Sequence, residues 1–288
     1  MLKINSHTGL CILIGNPVEH SVSPEIHNAG YRALKLNYVY LAFRVEDLKS
    51  ALDGIRALGI RGASVTIPHK SAIIPYLDEL SELAKWIGAV NTVVNENGKL
   101  VGYNFDGQAA YLSLISAGIR LEGRKIVMLG AGGAARAIAF TIASKRKSGE
   151  MVLMDIRDKT AEALAREVSE KIGANVRSVK MAQELLEKEL EDCSVLINAS
   201  PVGMFPRIND SPVPASFLRK DLAVFDIVYN PFRTKLIRDA SKKGAKVIGG
   251  LEMLVRQAGE QFRLFTGKKP PLKIMMLAGR TALRRKNC

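Results

Sequence analysis

Cysteine is scarce in this chain, and the few copies present exclude two kinds of site. The sequence has Cys11, Cys193 and Cys288, an odd number, and no two of them have the spacing of metal ligands. The four histidines, at positions 7, 20, 27 and 69, form no pair at i and i+4. We therefore expect neither a disulfide framework nor a metal centre, and the pattern is typical of a reducing compartment, the cytoplasm.

Long apolar runs are also missing. No stretch approaches the ~18 residues that a membrane-spanning helix needs, and Met1–Thr8 lacks the apolar core of a secretory signal. We expect no association with a membrane. Hydrophobic residues make up 47% and charged residues 24% of the 288 positions, which indicates a folded protein with room for about two domains.

Aromatic residues are few, at 6%, whereas positive charge is in excess. A net charge of +14 can attract either a nucleic acid or an anionic small molecule. Lysine and arginine are spread along the chain, with one run at Arg284–Lys286, and no aromatic RNA-binding motif occurs. We expect a small anionic substrate and cofactor and no nucleic-acid partner, in either a monomer or a homodimer.

Strand-like apolar runs alternate with helix-period segments from end to end, which predicts an α/β protein. In the first part, strands are expected at 9–14, 39–43, 63–67, 90–95 and 99–103, and helices at 24–36, 47–58 and 79–87. The turn signal Asn97-Gly98 joins the last two strands. Most of these strands alternate with helices, so we expect a mixed, mostly parallel sheet.

A second series follows a predicted helix at 107–117. Strands are expected at 125–129, 151–155, 194–198, 223–228 and 246–248, and helices at 134–144, 160–171, 251–265 and 271–283. We place the domain boundary near Asp106, with a first domain over 1–106 and a second over 107–250. The helices within 251–288 could return to the first domain.

A glycine-rich turn connects the strand at 125–129 to the helix at 134–144. Gly130, Gly132 and Ala135 match the pattern G-x-G-x-x-G/A. The first glycine permits the tight turn, the second lets a pyrophosphate approach the helix N-terminus, and Ala135 allows close helix–strand packing. The turn predicts a Rossmann-type domain that binds NAD(P), although a similar turn can occur without a nucleotide.

Asp155 ends the next strand, twenty residues after Ala135, where a ribose-binding carboxylate is expected. It can accept hydrogen bonds from both adenosine ribose hydroxyls and would repel the 2′-phosphate of NADP. Arg157 and Lys159 lie close by in sequence and reduce that repulsion. The prediction is a modest preference for NAD over NADP; the alternative is that Asp155 caps the following helix.

Two serines precede the first helix. Ser23 stands before Pro24 and is predicted to be the N-cap of the helix at 24–36. Ser21 lies two residues earlier and faces the same side in an extended chain. Two hydroxyls beside a helix N-terminus can bind a carboxylate, whereas the simpler interpretation is a capping serine alone.

Polar residues follow the ends of several other strands. Thr66 and Lys70 come after the strand at 63–67, Asn91 lies at a break near 88–92, and Asp106 follows the strand at 99–103. Ligands of parallel sheets bind at the carboxyl ends of the strands. One such residue is usually solvated surface, but the series ahead of a dinucleotide-binding fold predicts a substrate site.

Together these motifs resemble the shikimate dehydrogenase family, which includes the quinate/shikimate dehydrogenases. The resemblance covers nearly the whole chain and rests on eight motifs, at 20–24, 65–70, 88–92, 104–107, 130–135, 198–201, 226–231 and 249–257. It implies reversible reduction of 3-dehydroshikimate to shikimate with NAD(P)H, a step of aromatic amino-acid biosynthesis. It also implies an active site in the cleft between an N-terminal substrate domain and a Rossmann domain.

The resemblance implies a role for each matching position. Lys70 and Asp106 would be the catalytic pair, with the actual proton donor left open. The expected substrate-binding set is Ser21, Ser23, Thr66, Asn91, Tyr229 and Gln257, with the two serines on the carboxylate. The expected cofactor-binding set is Gly130, Ala131, Gly132, Gly133, Ala134, Asp155, Arg157, Ile227 and Gly250, the last two on the nicotinamide side.

Two departures from the family pattern bear on function. Phe105 stands where the family usually has threonine, next to Asp106. The segment 155–158 replaces the Asn-Arg-Ser/Thr of NADP-dependent members and is more like the quinate-utilising, NAD-tolerant branch. Two alternatives therefore stay open: an enzyme that prefers quinate, and an inactive dinucleotide-binding regulator, against which the presence of both Lys70 and Asp106 counts.

Overall fold

A computed structural model describes residues 4–286, without the side chain of Lys286. The expectations for the first three residues and for Cys288 lie outside the described residues. The chain forms two compact units. The first consists of the residues up to Phe105 and those from Val255 onward, and the second is Asp106–Leu254.

The first unit contains a mixed six-stranded sheet in the order β2-β1-β3-β5-β6-β4. Its strands are β1 (Gly9–Gly15), β2 (Tyr38–Arg44), β3 (Gly62–Val65), β4 (Glu79–Leu80), β5 (Thr92–Glu96) and β6 (Lys99–Tyr103). β1 pairs in parallel with β2 and β3, and β4 does so with β6. β5 runs antiparallel to β3 and β6. The antiparallel β5 brings its own start to the edge where β1 and β3 end.

Four helices of the first unit follow its strands: α1 (Ser23–Ala33), α2 (Leu48–Ala57), α3 (His69–Ala72) and α4 (Glu82–Ile87). Asp47 caps α2 by accepting from the Ser50 N–H at 3.1 Å. The predicted hairpin turn is confirmed, since Asn97 and Gly98 both have positive φ, at 55° and 97°. A buried apolar cluster from β1, β3, β5 and α2, including Ile14, Leu52 and Val93, forms the core.

Two expectations for this unit were wrong. Ser23 is the first residue of α1, and Val22 occupies the cap position without a side-chain cap bond. The Ser23 N–H donates instead to Ser21 Oγ at 3.2 Å, a local turn that takes the place of a serine cap. The segment 79–87 is not one helix, because Glu79 and Leu80 pair with β6 before Ser81 caps α4.

The second unit has six parallel strands in the order β12-β11-β10-β7-β8-β9. The strands are β7 (Ile126–Leu129), β8 (Met151–Met154), β9 (Val176–Ser178), β10 (Val195–Asn198), β11 (Ala223–Asp226) and β12 (Lys246–Gly249). Read from β9 to β12, the order along the sheet is 3-2-1-4-5-6, the doubly wound Rossmann arrangement. The α/β class and the Rossmann-type second unit are therefore confirmed.

The helices of this unit are α5 (Asp106–Ser116), α6 (Gly133–Lys145), α7 (Asp158–Ile172), α8 (Gln183–Glu191) and α9 (Lys235–Lys242). Two more helices end the chain, α10 (Gly250–Thr266) and α11 (Leu272–Lys286). α11 packs against α1 of the first unit, and α10 begins within the second unit and ends within the first. No helix in residues 4–286 is long and apolar enough to cross a membrane.

Candidate active site

The first cluster of predicted residues lies at one edge of the mixed sheet. Thr66 follows β3, and its N–H donates to the Ile14 carbonyl of β1 at 3.0 Å. Lys70 lies on α3, and its carbonyl accepts from the Val90 N–H at 2.7 Å. The loops after β3 and before β5 are therefore joined where β1 and β3 end. This placement brings Thr66, Lys70 and Asn91 to the same edge.

Asn91 is fully buried at this edge. Its main-chain carbonyl accepts from the Val65 N–H at 2.8 Å. Its side-chain Oδ1 accepts from the Phe105 N–H at 3.1 Å and from the Thr92 hydroxyl at 2.7 Å. The aromatic ring of Phe105 stacks on Tyr103, with centroids 5.9 Å apart and planes at 7°. Phe105, which departs from the family pattern, thus packs its ring on the last residue of β6, and its main-chain N–H binds Asn91.

Gln257 and Ser21 belong to the same unit as this cluster. Gln257 is partly buried on α10, one turn before Gln261, which donates to the Asn91 carbonyl at 3.1 Å. Positions four apart share a helix face, so Gln257 lies on the face of α10 that contacts the cluster. Ser21 lies in the loop between β1 and α1, where its hydroxyl oxygen accepts the Ser23 N–H.

The second cluster lies in the Rossmann unit, at the point where the strand order reverses between β7 and β10. Gly130 has a φ of +105°, and a Cβ there would lie 2.7 Å from the Ala199 carbonyl oxygen. Only glycine satisfies both conditions. At Gly132 an added Cβ would meet nothing within 4 Å, so the start of α6 is open on that side.

Asp155 is bound to the glycine turn. Its carboxylate accepts from the Ala131 N–H at 2.7 Å and from the Arg157 N–H at 2.8 Å. The exposed Arg157 guanidinium lies 3.4 Å from the same carboxylate. Burial alone would raise the pKa of Asp155, but the hydrogen bonds from Arg157 and Ala131 bring the pKa below its ordinary value. The carboxylate is therefore charged at neutral pH and fixes the turn; it does not cap α7, whose cap position is Arg157.

Ile227 and Gly250 come together at the other side of the switch point. A Cβ on Gly250 would lie 2.2 Å from the Ile227 carbonyl oxygen, so glycine is required for α10 to start there. Tyr229 follows two residues later and is partly buried, and desolvation raises the pKa of its hydroxyl. Asp106 is the first residue of α5 in the same unit.

A buried polar network that was not predicted from the sequence lies at the ends of β10 and β11. Asp226 is fully buried and accepts from the Thr234 hydroxyl at 2.5 Å, the Asn198 amide at 2.9 Å and the Val228 N–H at 3.1 Å. Burial raises the pKa of Asp226 to about 6, against the opposing effect of these donors. Asn198 and Asp226 each end a parallel strand, and a position at the end of such a strand is also the signal that indicated Thr66 and Lys70.

The glycine turn, the helix start at Gly132 and the carboxylate at Asp155 fit a dinucleotide, since they combine a close backbone approach with open N–H groups. A Rossmann unit joined to a separate α/β unit with a polar strand-edge cluster defines the class of dinucleotide-dependent oxidoreductases. No group of three His, Cys, Asp or Glu side chains within residues 4–286 is arranged to hold a metal ion.

Comparison with known proteins identifies the family. Residues 13–93 match the shikimate dehydrogenase substrate binding domain, and residues 250–276 match the shikimate 5'-dehydrogenase C-terminal domain. The NADP(+) shikimate dehydrogenase of Methanocaldococcus jannaschii is 45% identical over 276 residues, covering 94% of this chain and 96% of that one. The chain belongs to the shikimate dehydrogenase family.

Solved structures agree with this assignment. A crystal structure of a shikimate dehydrogenase in complex with NADP+ superimposes with a TM-score of 0.91 at 42% identity and covers 98% of both chains. The shikimate 5-dehydrogenase of Listeria monocytogenes, solved with shikimate and NAD, gives a TM-score of 0.89 at 37% identity. That match covers 96% of this chain and 97% of the other.

Proposed function

We propose that the protein is a shikimate dehydrogenase, which reversibly reduces the 3-keto group of 3-dehydroshikimate to the hydroxyl of shikimate with NAD(P)H. The chain is similar to such enzymes over nearly its full length, and the observation that carries the proposal is that it has both the strand-edge cluster and an intact glycine turn. The step belongs to aromatic amino-acid biosynthesis. The two buried free cysteines, Cys11 and Cys193, support a reducing location, the cytoplasm.

The Rossmann unit would hold the dinucleotide. The pyrophosphate would lie against the N–H groups at Gly132 and Gly133, and Asp155 would face the adenosine ribose. Ile227 and Gly250 would line the nicotinamide side. The cofactor supplies the hydride chemistry when bound.

The strand-edge cluster would bind the substrate. Ser21 and Ser23 would donate to its carboxylate, and Thr66, Asn91, Tyr229 and Gln257 would contact the ring and its hydroxyls. These groups are neutral donors and acceptors, so they orient the ring without competing for the proton. The excess of positive charge on the chain favours the approach of two anionic ligands, the substrate and the cofactor.

Lys70 and Asp106 would transfer the proton of the reacting hydroxyl. Oxidation of a hydroxyl releases a proton as the hydride leaves, and reduction of the ketone requires one. In ketone reduction a lysine ammonium beside a carboxylate can deliver that proton to the reacting oxygen, and in alcohol oxidation the neutral amine or the carboxylate can accept it. The proposal assigns the pair to this step and leaves open which member touches the oxygen.

On cofactor choice, we propose a modest preference for NAD over NADP, although the Methanocaldococcus jannaschii relative is named for NADP(+). The support is the anchored charge of Asp155, which would face the 2′-phosphate of NADP. With an effective dielectric of ~20, that repulsion is a few kcal/mol at most. The exposed Arg157 offsets part of it.

Steady-state kinetics with shikimate and quinate, each with NAD+ and NADP+, test the proposal. We expect kcat/KM to be highest with shikimate and to be higher with NAD+ than with NADP+. A higher kcat/KM with quinate would replace the substrate assignment with quinate dehydrogenase. Dinucleotide binding without turnover of either substrate would indicate a regulatory protein instead.

A further inference from the structure

A chain of buried polar side chains joins α10 to the strand-edge cluster inside the first unit. The Tyr40 hydroxyl donates to Ser64 Oγ at 2.6 Å, and Ser64 donates to Gln261 Oε1 at 2.8 Å. Gln261 Nε2 donates to the Asn91 carbonyl at 3.1 Å and to Thr92 Oγ1 at 3.0 Å. All five residues are buried. No role in the proposed reaction has been given to Gln261 or Thr92.

The Asn91 main-chain carbonyl fixes the donor and the acceptor of each hydrogen bond in this series of side chains. The Asn91 main-chain carbonyl can only accept, so the Gln261 atom beside it must be the amide nitrogen. Gln261 Oε1 then points to Ser64, which donates to it, and the Tyr40 proton must go to Ser64. The Gln261 NH2 group also donates a hydrogen bond to Thr92 Oγ1, which uses one lone pair of that oxygen. The single hydroxyl proton of Thr92 is thereby left to donate elsewhere.

That proton goes to Asn91 Oδ1, at 2.7 Å. The Phe105 N–H, which can only donate, reaches the same oxygen at 3.1 Å. Turning the Asn91 carboxamide over would set its NH2 group against the Phe105 N–H and would leave the Thr92 proton without this acceptor. The side-chain oxygen of Asn91 therefore faces Thr92 and Phe105, and its Nδ2 points in the other direction within the carboxamide plane.

We infer that Gln261 and Thr92 are positioning residues, which fix the Asn91 carboxamide so that its NH2 group donates to a ring hydroxyl of the substrate. The inference rests on the proposed function for the identity of that substrate. Gln261 dictates which way the Thr92 hydroxyl points, and Thr92 dictates which way Asn91 points. Specificity for a hydroxyl acceptor at one ring position is thus set by a glutamine that does not itself need to touch the ligand.

The test compares Thr92→Val with the conservative Thr92→Ser. Valine keeps the shape of threonine and removes the hydroxyl, whereas serine keeps the hydroxyl. We expect Thr92→Val and Gln261→Met to raise KM for shikimate about tenfold, the scale of one hydrogen bond, with kcat and KM for the dinucleotide within about twofold of the parent. Thr92→Ser should restore KM. Thr266→Val, which removes a partly buried hydroxyl from the same helix, serves as the matched control and should behave like the parent.

Deoxy substrates distinguish a lost orientation of the Asn91 carboxamide from a general loosening of the substrate site. With 4-deoxy- and 5-deoxyshikimate, the penalty of Thr92→Val should disappear for the analogue that lacks the hydroxyl bound by Asn91 and persist for the other. An equal penalty with both analogues, or an equal rise in KM for the dinucleotide, would overturn the inference.

The orientation also has a readout that does not need turnover. In ¹⁵N–¹H spectra, the Asn91 side-chain amide, assigned by its loss in Asn91→Asp, should shift in Thr92→Val and return in Thr92→Ser. An unchanged Asn91 signal in Thr92→Val would contradict the inference even if the parent oxidises shikimate. A parent that turns over neither shikimate nor quinate would instead overturn the proposed function alone.

Discussion

The Asp155 side chain makes contacts with two separate parts of the Rossmann unit. Its carboxylate holds the glycine turn through the Ala131 N–H and also lies next to Arg157. From the sequence we predicted the strand-end position and the proximity of Arg157. The bond to Ala131 spans 24 residues and depends on the strand order, so no local pattern could indicate it.

A cofactor-preference variant follows from this geometry. Asp155→Asn removes the negative charge and keeps one oxygen that can accept the Ala131 N–H of the glycine turn, whereas its NH2 group replaces the oxygen that accepts the Arg157 N–H. We expect kcat/KM with NADP+ to rise relative to NAD+ by about tenfold, a change of ~1.4 kcal/mol. Steady-state kinetics with both dinucleotides provide the measurement. A parent that clearly prefers NADP+ would show that Arg157 outweighs Asp155.

Lys70 offers the corresponding test of the proton step. Lys70→Ala should lower kcat by ~10²–10⁴, the usual range for a general acid–base group. Its side chain is partly exposed on the four-residue α3, so the midpoint of thermal unfolding should change little. Turnover within a few-fold of the parent, at an unchanged unfolding midpoint, would remove Lys70 from the mechanism.

At the scale of elements, the sequence predicted the strands that carry the site better than the connections between them. Continuous apolar runs such as Ile126–Leu129 and Ala223–Asp226 mark buried parallel strands. The short elements α3, β4 and β9, of two to four residues, have no resolvable period. α8 and α9 were also not predicted.

The Asp226 network ties β10, β11 and the start of α9 together and predicts a pH dependence of stability. The pKa of Asp226 is raised from 3.8 to about 6 in the folded protein. A raised carboxyl pKa stabilises the fold fully below pH 3.8, and that stabilisation is lost as the pH rises through 6. The expected loss is on the order of 3 kcal/mol.

Asp226→Asn isolates this effect, because asparagine keeps an acceptor for the Asn198 amide and the Val228 N–H without titrating. Denaturant unfolding at several pH values should show the parent losing stability relative to Asp226→Asn between pH 4 and 6. A constant difference across that window would mean that Asp226 does not titrate there.

At the scale of the whole molecule, the α/β class, the Rossmann-type second unit and the positions of Lys70 and Asn91 at strand edges could be predicted from the sequence. The signals were local: a glycine turn, strand ends and ordered motifs. Gln261 could not be identified in this way. It lies 170 residues from Asn91 in the chain, and its importance depends on the return of α10 to the mixed sheet.

The identity of the reaction product tests the central claim most directly. The protein is incubated with 3-dehydroshikimate and NADH or NADPH, and the product is identified by chromatography against authentic shikimate. We predict that one shikimate forms for each reduced dinucleotide consumed, and that Lys70→Ala forms it far more slowly. Consumption of neither dinucleotide, or formation of a product other than shikimate, would contradict the account.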